Sequence, residues 1–423
     1  METTKNTYSR RSFLKSSALS GGGLMLSFTW LSSFKPAEKV ESINLAENWH
    51  ELTGYIKITS DNIIKLFCPN PEFGQNVMTS LPMIVAEELD VDWKKVVVEI
   101  APHDNIKFGF QFTGGSQSVR SYWKPLRNAG AAARQMLIDA AAQAWGVSTS
   151  EITTKAGVLN HSSGKSATYG EMASKAATLI VPKEIKLKST KDFNIVSHSK
   201  KNVEGIKVVT GKPLFGLDYR QAGMLIAMVQ QPPAFGMKLK SFDATQALKM
   251  PGIKDVFSIK VYEEGSERGA FETRTFNELV AIVGNSTWEV MNARKNLKIN
   301  WEARGDIKET VNFRGNKSEE FSPGKLESTI SHFENMKEMA KKSATVLRKD
   351  GDPETAFKNA TTIIERTYNA PFLAHNTMEP MNCFAHITTE KALFIGPLQA
   401  PNFAEDTLAA RFGLPKEKIE IQM

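Results

Sequence analysis

Two stretches near opposite ends of this 423-residue chain follow one building plan, and that repetition restricts the fold more than any other feature. The first begins at Ile58-Thr59-Ser60-Asp61-Asn62, passes through a strand, a loop with Pro71 and Gln75 and a helix, and ends on a strand in the run from Leu89 to Ile100. The second begins at Ile387-Thr388-Thr389-Glu390-Lys391 and passes through Leu393-Phe394-Ile395 and Pro397-Leu398-Gln399-Ala400-Pro401. A helix and a terminal strand at Phe412 to Met423 complete it. Each reads as hairpin, Gln-bearing loop, helix and strand, which is a duplicated block; chance likeness between generic βα units is the alternative. The first copy continues into a Gly-rich loop, whereas the second reaches its last strand at Met423. A strand edge with nothing to cover it is an exposed pairing template. The expectation is a portion of a longer polypeptide, or one half of a split one.

Periodicity supplies the elements between the copies. Polar and apolar residues alternate through Tyr55–Ile58 and Ile63–Phe67 around the turn Ser60-Asp61-Asn62, which predicts a hairpin. Met78 to Leu89 is helix-like, Lys95 to Ile100 is a strand, and Tyr122 to Trp145 is a long Ala-rich helix ending at Gly146. From Gly205 to Trp301 short strands (Met224 to Gln230, Ile253 to Ile259, Glu278 to Val283) alternate with small helices (Asp243 to Met250, Ser286 to Asn296). That mixture predicts an α+β unit. Residues 303–349 are charged and broken by Gly305, Gly315, Pro323 and Gly324, which reads as a linker leading into an exposed helix. The expected divisions are residues 1–35, 48–195, 203–302, 303–350 and 351–423.

The N-terminus carries Ser9-Arg10-Arg11-Ser12-Phe13-Leu14-Lys15 ahead of a weakly apolar stretch from Ser16 to Leu31. A twin-arginine leader directs a protein to the export route for folded cargo, so a periplasmic location is expected. No clean small-x-small cleavage site follows, and an uncleaved leader could stay as a membrane tether. An ordinary basic N-terminus or a Sec leader is the alternative. The net charge of +7 owes much to this segment: residues 1–35 hold five basic side chains and one acidic, which leaves about +3 for the remainder. So weak a bias argues against a nucleic-acid partner. Cys68 and Cys383 are the only cysteines. Both lie in largely apolar runs, which favours two buried thiols over a disulfide. Two cysteines cannot hold an iron–sulfur cluster unaided. The seven histidines form no ligand pair, so any metal is expected to arrive on an organic carrier.

Two short segments carry candidate chemistry. In Glu72-Phe73-Gly74-Gln75-Asn76-Val77-Met78-Thr79, Gly74 permits a left-handed turn and the following helix start offers free N–H groups to an anion such as phosphate. Gln75 can present a donor and an acceptor to a heterocycle edge, although a loop glutamine satisfied by its own loop is the plainer reading. Thr113-Gly114-Gly115-Ser116-Gln117-Ser118 is a second hydroxyl-rich turn before a helix. Arg120 and Arg127 could add charge beside it, with solvated positions or core ion pairs as the alternative for both.

These segments, with several longer ones, resemble the molybdopterin-binding large subunit of the xanthine dehydrogenase/aldehyde oxidase family, most of all its isoquinoline oxidoreductase branch. The matching runs are Gly74 to Met83 with Ala86-Glu87-Glu88-Leu89, Thr113 to Arg120, Lys124 to Arg134, Val209 to Asp218, and Ala370 to Cys383. They span nearly the whole chain after the leader. The resemblance implies an a/b hammerhead domain over Gly205–Trp301, flanked by segments of a molybdopterin-binding region. It implies that Gly74 and Gln75 meet the pterin phosphate, that Thr113, Gly114, Gly115 and Ser116 line the pterin, and that Gln399 hydrogen-bonds an oxo ligand of molybdenum. The implied cofactor is molybdopterin cytosine dinucleotide. The implied partners are a small iron–sulfur subunit and an aldehyde or N-heterocycle substrate. Glu379 belongs to the family pattern without an assignable role, and a buried structural hydrogen bond is the expectation for it.

The departures from the family pattern bear on activity. Asn76 stands where the family has a second glycine, which puts the closest backbone approach in doubt. The Gly-Gly-Phe-Gly loop and the Gly-x-Gly-Glu segment with its catalytic base have no counterpart here, so the chain is expected to need a second polypeptide for turnover. Two other readings compete: an exported non-catalytic remnant of the same fold, and an unrelated periplasmic binding protein.

Overall fold

The computed structural model describes residues 50–423 apart from 263, 264, 270, 271, 273–275, 314, 323, 325 and 327; the expected leader lies outside them. The described chain divides into two compact units, one made of residues 50–219 together with Thr377–Met423, the other running from Arg220 to Asn376.

In the first unit β1 (His50–Thr53), β2 (Ile56–Ile58) and β3 (Ile64–Cys68) form an antiparallel meander, and β4 (Val96–Ile100) joins β3 in parallel. The crossover between β3 and β4 is α1 (Val77–Leu89). A parallel partner requires such a crossover, because a tight turn can only join antiparallel strands. The second copy has the same topology. Phe384–Ile387 and Ala392–Ile395 pair antiparallel, the helix Pro401–Phe412 follows, and Ile419–Gln422 returns parallel to Ala392–Ile395. The repeat seen in the sequence is thus a repeat of hydrogen-bonded topology.

Helix α2 (Ser118–Trp145) packs across α1. Their backbones approach closely at Gly130, where a methyl group would sit 2.4 Å from the Val85 carbonyl oxygen and 2.9 Å from Glu88 Cβ. α2 starts four residues before the expected Tyr122. Pro125 lies inside the helix, which runs past it. An antiparallel meander (Ile152–Lys155, Val158–His161, Ser166–Thr168) and the helix Tyr169–Ala176 complete this part. The inward faces of β2 and β3 (Ile56, Ile58, Ile64, Leu66), of α1 (Leu81, Ile84, Val85) and of α2 (Leu126, Met136, Leu137) share one apolar core.

Within that core sits an ionic network at the end of α1. The Glu87 and Glu88 side chains are 1% and 0% exposed. Glu88 Oε1 accepts from Arg127 Nε at 2.7 Å, and Glu88 Oε2 accepts from the Lys188 backbone amide at 2.9 Å. Glu87 Oε2 accepts from three consecutive amides, Asn194, Ile195 and Val196, at 2.9, 2.6 and 3.0 Å. Lys188 Nζ bridges Glu87 and the Asp90 carboxylate at 3.3 and 2.7 Å. Arg127 is therefore a core ion pair, one of its sequence readings. Of the two cysteines, Cys68 is buried and Cys383 is exposed, both as free thiols, so burial holds for one only. The apolar run around Cys383 belongs to a segment, residues 370–383, whose side chains mostly face solvent.

In the second unit Ile253–Lys260, Glu278–Gly284 and Ile226–Gln230 form an antiparallel sheet in that order. Met237–Asp243 pairs with Lys298–Ala303, and the helix Thr287–Arg294 packs on a small core that includes Val256, Val280, Ile282 and Val290. The expected helix from Asp243 to Met250 reduces to one 3-10 turn, Ala247–Lys249, because Asp243 closes a strand and its carboxylate accepts from the Thr245 amide. Residues 303–349 are not a plain linker: Ile307–Phe313 and Asn316–Ser322 form a hairpin before the exposed helix Thr329–Ala340. The sequence reading opened this unit at residue 203, whereas Gly205–Tyr219 belongs with the first unit.

Two variants test the network. Glu88→Ala leaves the Arg127 guanidinium buried without its carboxylate and is expected to cost about 3 kcal/mol. Gly130→Ala is expected to cost about 2 kcal/mol by forcing α1 and α2 apart. Urea unfolding followed by circular dichroism measures both; an unchanged midpoint for Glu88→Ala would contradict this account.

Candidate functional site

The three loops singled out in the sequence all belong to the first unit, and hydrogen bonds join them. The Pro71 carbonyl accepts from Gln75 Nε2 at 3.0 Å and from Thr113 Oγ1 at 2.8 Å. The Thr113 backbone amide donates to the Gln399 carbonyl at 3.0 Å. A line of contacts thus runs from the Gly74–Gln75 loop through Thr113 to Gln399. The loops of the two copies meet.

Two buried amide side chains that the sequence reading passed over brace this junction. Asn70 Nδ2 donates to the Phe112 carbonyl at 2.7 Å and to Ser118 Oγ at 3.0 Å. Gln111 is fully buried; its Nε2 donates to the Pro69 carbonyl at 3.0 Å and its Oε1 accepts from the Asp104 amide at 2.9 Å. The only signal for Asn70 was its place between two prolines, where no regular ladder can satisfy the backbone.

The loops differ in what they leave available. At the start of α1, Glu72 folds back over the helix: Oε1 accepts from the Gly74 and Asn76 amides at 2.7 and 3.1 Å, and Oε2 from the Met78 amide at 2.9 Å. The expected free N–H groups are occupied by the chain's own carboxylate. Gln75 is spent as well, since its Oε1 accepts from the Phe73 amide at 2.8 Å while its Nε2 holds Pro71. Gly74 has φ +103° and open space where a side chain would be, so the turn's handedness rather than a close approach requires it. Asn76 adopts φ 67°, a left-handed conformation that asparagine tolerates better than most residues. The exchange of glycine for asparagine therefore preserves the turn.

The start of α2 is open by contrast. Its N-cap Gln117 makes no capping hydrogen bond and no acid lies in the first turn. Among the described residues the Ser118, Val119 and Arg120 amides find no backbone acceptor. Gly115 and Ser116 adopt φ 59° and 56°, consecutive left-handed residues that turn the chain into the helix. Ser116 and Arg120 are exposed, and a cation in a first helical turn is disfavoured by the helix dipole unless an anion offsets it. Gly114 has the Phe112 ring where a side chain would be, 2.4 Å from the position of a Cβ. Gln399 is exposed; its carbonyl is held, and its side-chain amide has no hydrogen-bond partner among the described residues. Glu379 is half-buried rather than buried, and accepts from the Leu217 amide at 3.2 Å and Asn382 Nδ2 at 2.8 Å, a structural role.

The arrangement therefore offers unpaired helix amides, a hydroxyl, a guanidinium and a free carboxamide around one junction. That donor set suits an anionic, heteroatom-rich ligand at the Thr113–Ser116 turn and Gln399. The Gln75 loop does not fit an anion while Glu72 lies over it. A recess of about 530 Å³ elsewhere, lined by Asp139, Gln143 and Leu179, stands apart from this chemistry. Asp139 lies 21 residues along α2 from Ser118, roughly 30 Å away.

Comparison with known proteins bears on the class. The molybdopterin cofactor-binding domain family matches residues 22–213, and a second family of the same description matches residues 335–423. The chain belongs to the xanthine dehydrogenase/aldehyde oxidase family of molybdopterin-binding subunits. Among its relatives, isoquinoline 1-oxidoreductase subunit beta of Brevundimonas diminuta is 30% identical over 295 residues, covering 60% of this chain and 35% of that protein. The membrane-bound aldehyde dehydrogenase [pyrroloquinoline-quinone] of Gluconacetobacter polyoxogenes is 26% identical over 384 residues, covering 89% of this chain and 46% of that one. The chain thus spans between about a third and a half of the length of these two relatives. A solved quinoline 2-oxidoreductase from Pseudomonas putida 86 aligns at 14% identity over 52% of this chain and 29% of that one, with a TM-score of 0.33.

The two thiols give a direct test of the local packing. Burial pushes the Cys68 thiol up to about 12, with its Sγ donating to the Asn70 carbonyl at 3.4 Å, so it stays protonated at neutral pH. Iodoacetamide at pH 8 is expected to label Cys383 in the native protein and Cys68 only after unfolding, as read by peptide mass spectrometry. Labelling of native Cys68 at a comparable rate would contradict this packing.

Proposed function

We propose that this chain is the cofactor-holding portion of a molybdenum hydroxylase and binds molybdopterin, as its cytosine dinucleotide, at the junction of its two copies. One observation carries the reading: the Thr113 amide meets the Gln399 carbonyl at 3.0 Å, while the Ser116 hydroxyl, the first amides of α2 and the Gln399 carboxamide keep their hydrogen-bonding capacity. Thr113, Gly114, Gly115 and Ser116 would line the pterin, the start of α2 with Arg120 would receive negative charge, and the Gln399 carboxamide would hold the metal end of the cofactor by a hydrogen bond. Gly74 and Gln75 contribute only after the Glu72 carboxylate leaves the start of α1 and Gln75 gives up its bonds to the Phe73 amide and the Pro71 carbonyl. When bound, the cofactor supplies two-electron oxidation of an aldehyde or N-heterocycle with oxygen taken from water.

The remaining parts of the machine lie on other chains in this reading. A small subunit holds the iron–sulfur clusters, and a second polypeptide supplies the catalytic base. The strands between Ile226 and Ala303 form the a/b hammerhead domain, and the twin-arginine leader delivers the assembled protein to the periplasm. A second reading has its own support. The self-satisfied Gln75 and the Glu72 carboxylate over α1 describe a loop complete without a ligand, as in a non-catalytic remnant.

Elemental analysis separates the two. Co-expressed with its small subunit and the second polypeptide, the chain is expected to retain close to one molybdenum per copy and release a cytidine nucleotide on acid treatment. Gln399→Ala should keep the metal but lower turnover by ~100-fold, the usual cost of losing one preorganised donor. Metal-free protein from a molybdate-fed, cofactor-competent host would leave the remnant reading standing.

A further inference from the structure

Gln399 is held in place from both sides by contacts that leave its carboxamide untouched. On one side its carbonyl accepts the Thr113 amide at 3.0 Å. On the other, the first turns of Pro401–Phe412 dock on the loop that follows β4. Phe403 meets Phe110 and Phe112 with ring centroids 5.5 and 6.1 Å apart. Beside these rings Glu405 Oε2 accepts from Asn105 Nδ2 at 3.1 Å, and Asn402 Nδ2 donates to Asn105 Oδ1. Asn402 and Glu405 are three residues apart and so lie on one face of the helix.

His103 is the unusual member. Its side chain is 3% exposed, and its Nε2 stands 3.3 Å from Glu405 Oε1 without hydrogen-bond alignment. Neither ring nitrogen has an aligned partner, and neither does Asn402 Oδ1. Buried polar atoms are normally satisfied, and a cluster that is there only for packing would be satisfied or apolar. Glu405 is the hub, because its two carboxylate oxygens face two different residues of the first copy.

We propose that His103, Asn105 and Glu405 form a latch that sets the position of Gln399 against the Thr113–Ser116 turn, with Glu405 and Asn105 as positioning residues. The inference rests on the reading of this junction as the cofactor site. The latch clamps the helix six residues beyond Gln399 and the Thr113 amide clamps Gln399 itself, so the loop between them has little freedom. With the hub removed, the helix start is tied only through the rings and Asn402, and the Thr113–Gln399 bond opens more often.

Hydrogen exchange by mass spectrometry tests this on the chain and on its loaded complex. Glu405→Ala is expected to speed exchange at Thr113 by about tenfold or more, as loss of a charge-assisted contact would, while residues 126–142 of α2 keep their protection. Glu405→Gln retains an acceptor for Asn105 and should restore most of the protection, which a loss of helix packing would not predict. Molybdenum content should stay close to wild type in both variants, as in Gln399→Ala, while turnover follows the same order as protection: low in the alanine variant, recovered in the glutamine variant. Should Glu405→Ala fail to fold, Asn105→Ala at an exposed position removes the same contact and should give the same local acceleration. Thr113 exchange equal to wild type in both alanine variants overturns the latch. Faster Thr113 exchange in protein whose wild type holds no molybdenum upholds the latch and overturns the cofactor reading.

Discussion

Two adjacent buried carboxylates at the end of α1 organise the first unit. Glu88 faces α2 through Arg127, and Glu87 faces the chain after Lys188 through three backbone amides. Buried charges are tolerated only when nearly every lone pair is engaged, and here five of the partners are backbone amides or charged side chains. One residue further, Asp90 adopts the left-handed cap and binds Lys188 Nζ and Thr154 Oγ1, while Tyr169 closes on the Leu89 carbonyl. Four consecutive residues from Glu87 to Asp90 thus bind the first sheet's helix to α2, to the extended segment and to the small meander. Because the end of α1 is fixed against the first half of α2, the loops that precede the two helices meet in a defined way.

Those loops show how a duplicated block becomes asymmetric. Both copies place a glutamine in the loop between hairpin and helix, yet the two amides have opposite fates. Gln75 is consumed by the Phe73 amide and the Pro71 carbonyl, and Glu72 caps the helix beside it. Gln399 gives up only its carbonyl. A glutamine has both donor and acceptor capacity, so local chain geometry alone decides whether it staples a turn or offers itself to a ligand.

Much of this was legible in the residues. The duplicated topology followed from two hairpins with matched spacing, and α1 and β4 fell close to their expected bounds because their periodicity is strong. The site segments were legible as glycine-rich turns ahead of helices. What could not be read was how each helix start is filled. Glu72 reaches the Met78 amide across six residues, and no local pattern marks a carboxylate that will fold back. The brace formed by Asn70 and Gln111 was equally hidden, since both act on carbonyls of loops whose course depends on tertiary contacts. In the second unit the Asp243–Met250 helix failed because the same residues suit the end of a strand, and pairing with Lys298–Ala303 outweighs a short helix. In the hairpin within residues 303–322 the second strand, Asn316–Ser322, is exposed along most of its length, so it lacked the alternation that reveals a strand.

The chain leaves the first unit at Tyr219 and re-enters it at Thr377, and the two crossing points lie side by side. The Tyr219 and Phe384 rings stand 4.6 Å apart, and the Leu217 amide donates to Glu379 at 3.2 Å. The Arg220–Asn376 region is therefore a guest domain inserted in the sequence of its host. Closing a loop costs only ~0.6 kcal/mol more for each doubling of its length, so the host is nearly indifferent to the size of its guest. Evolution can enlarge, trim or exchange that insert without disturbing the clasp at its base.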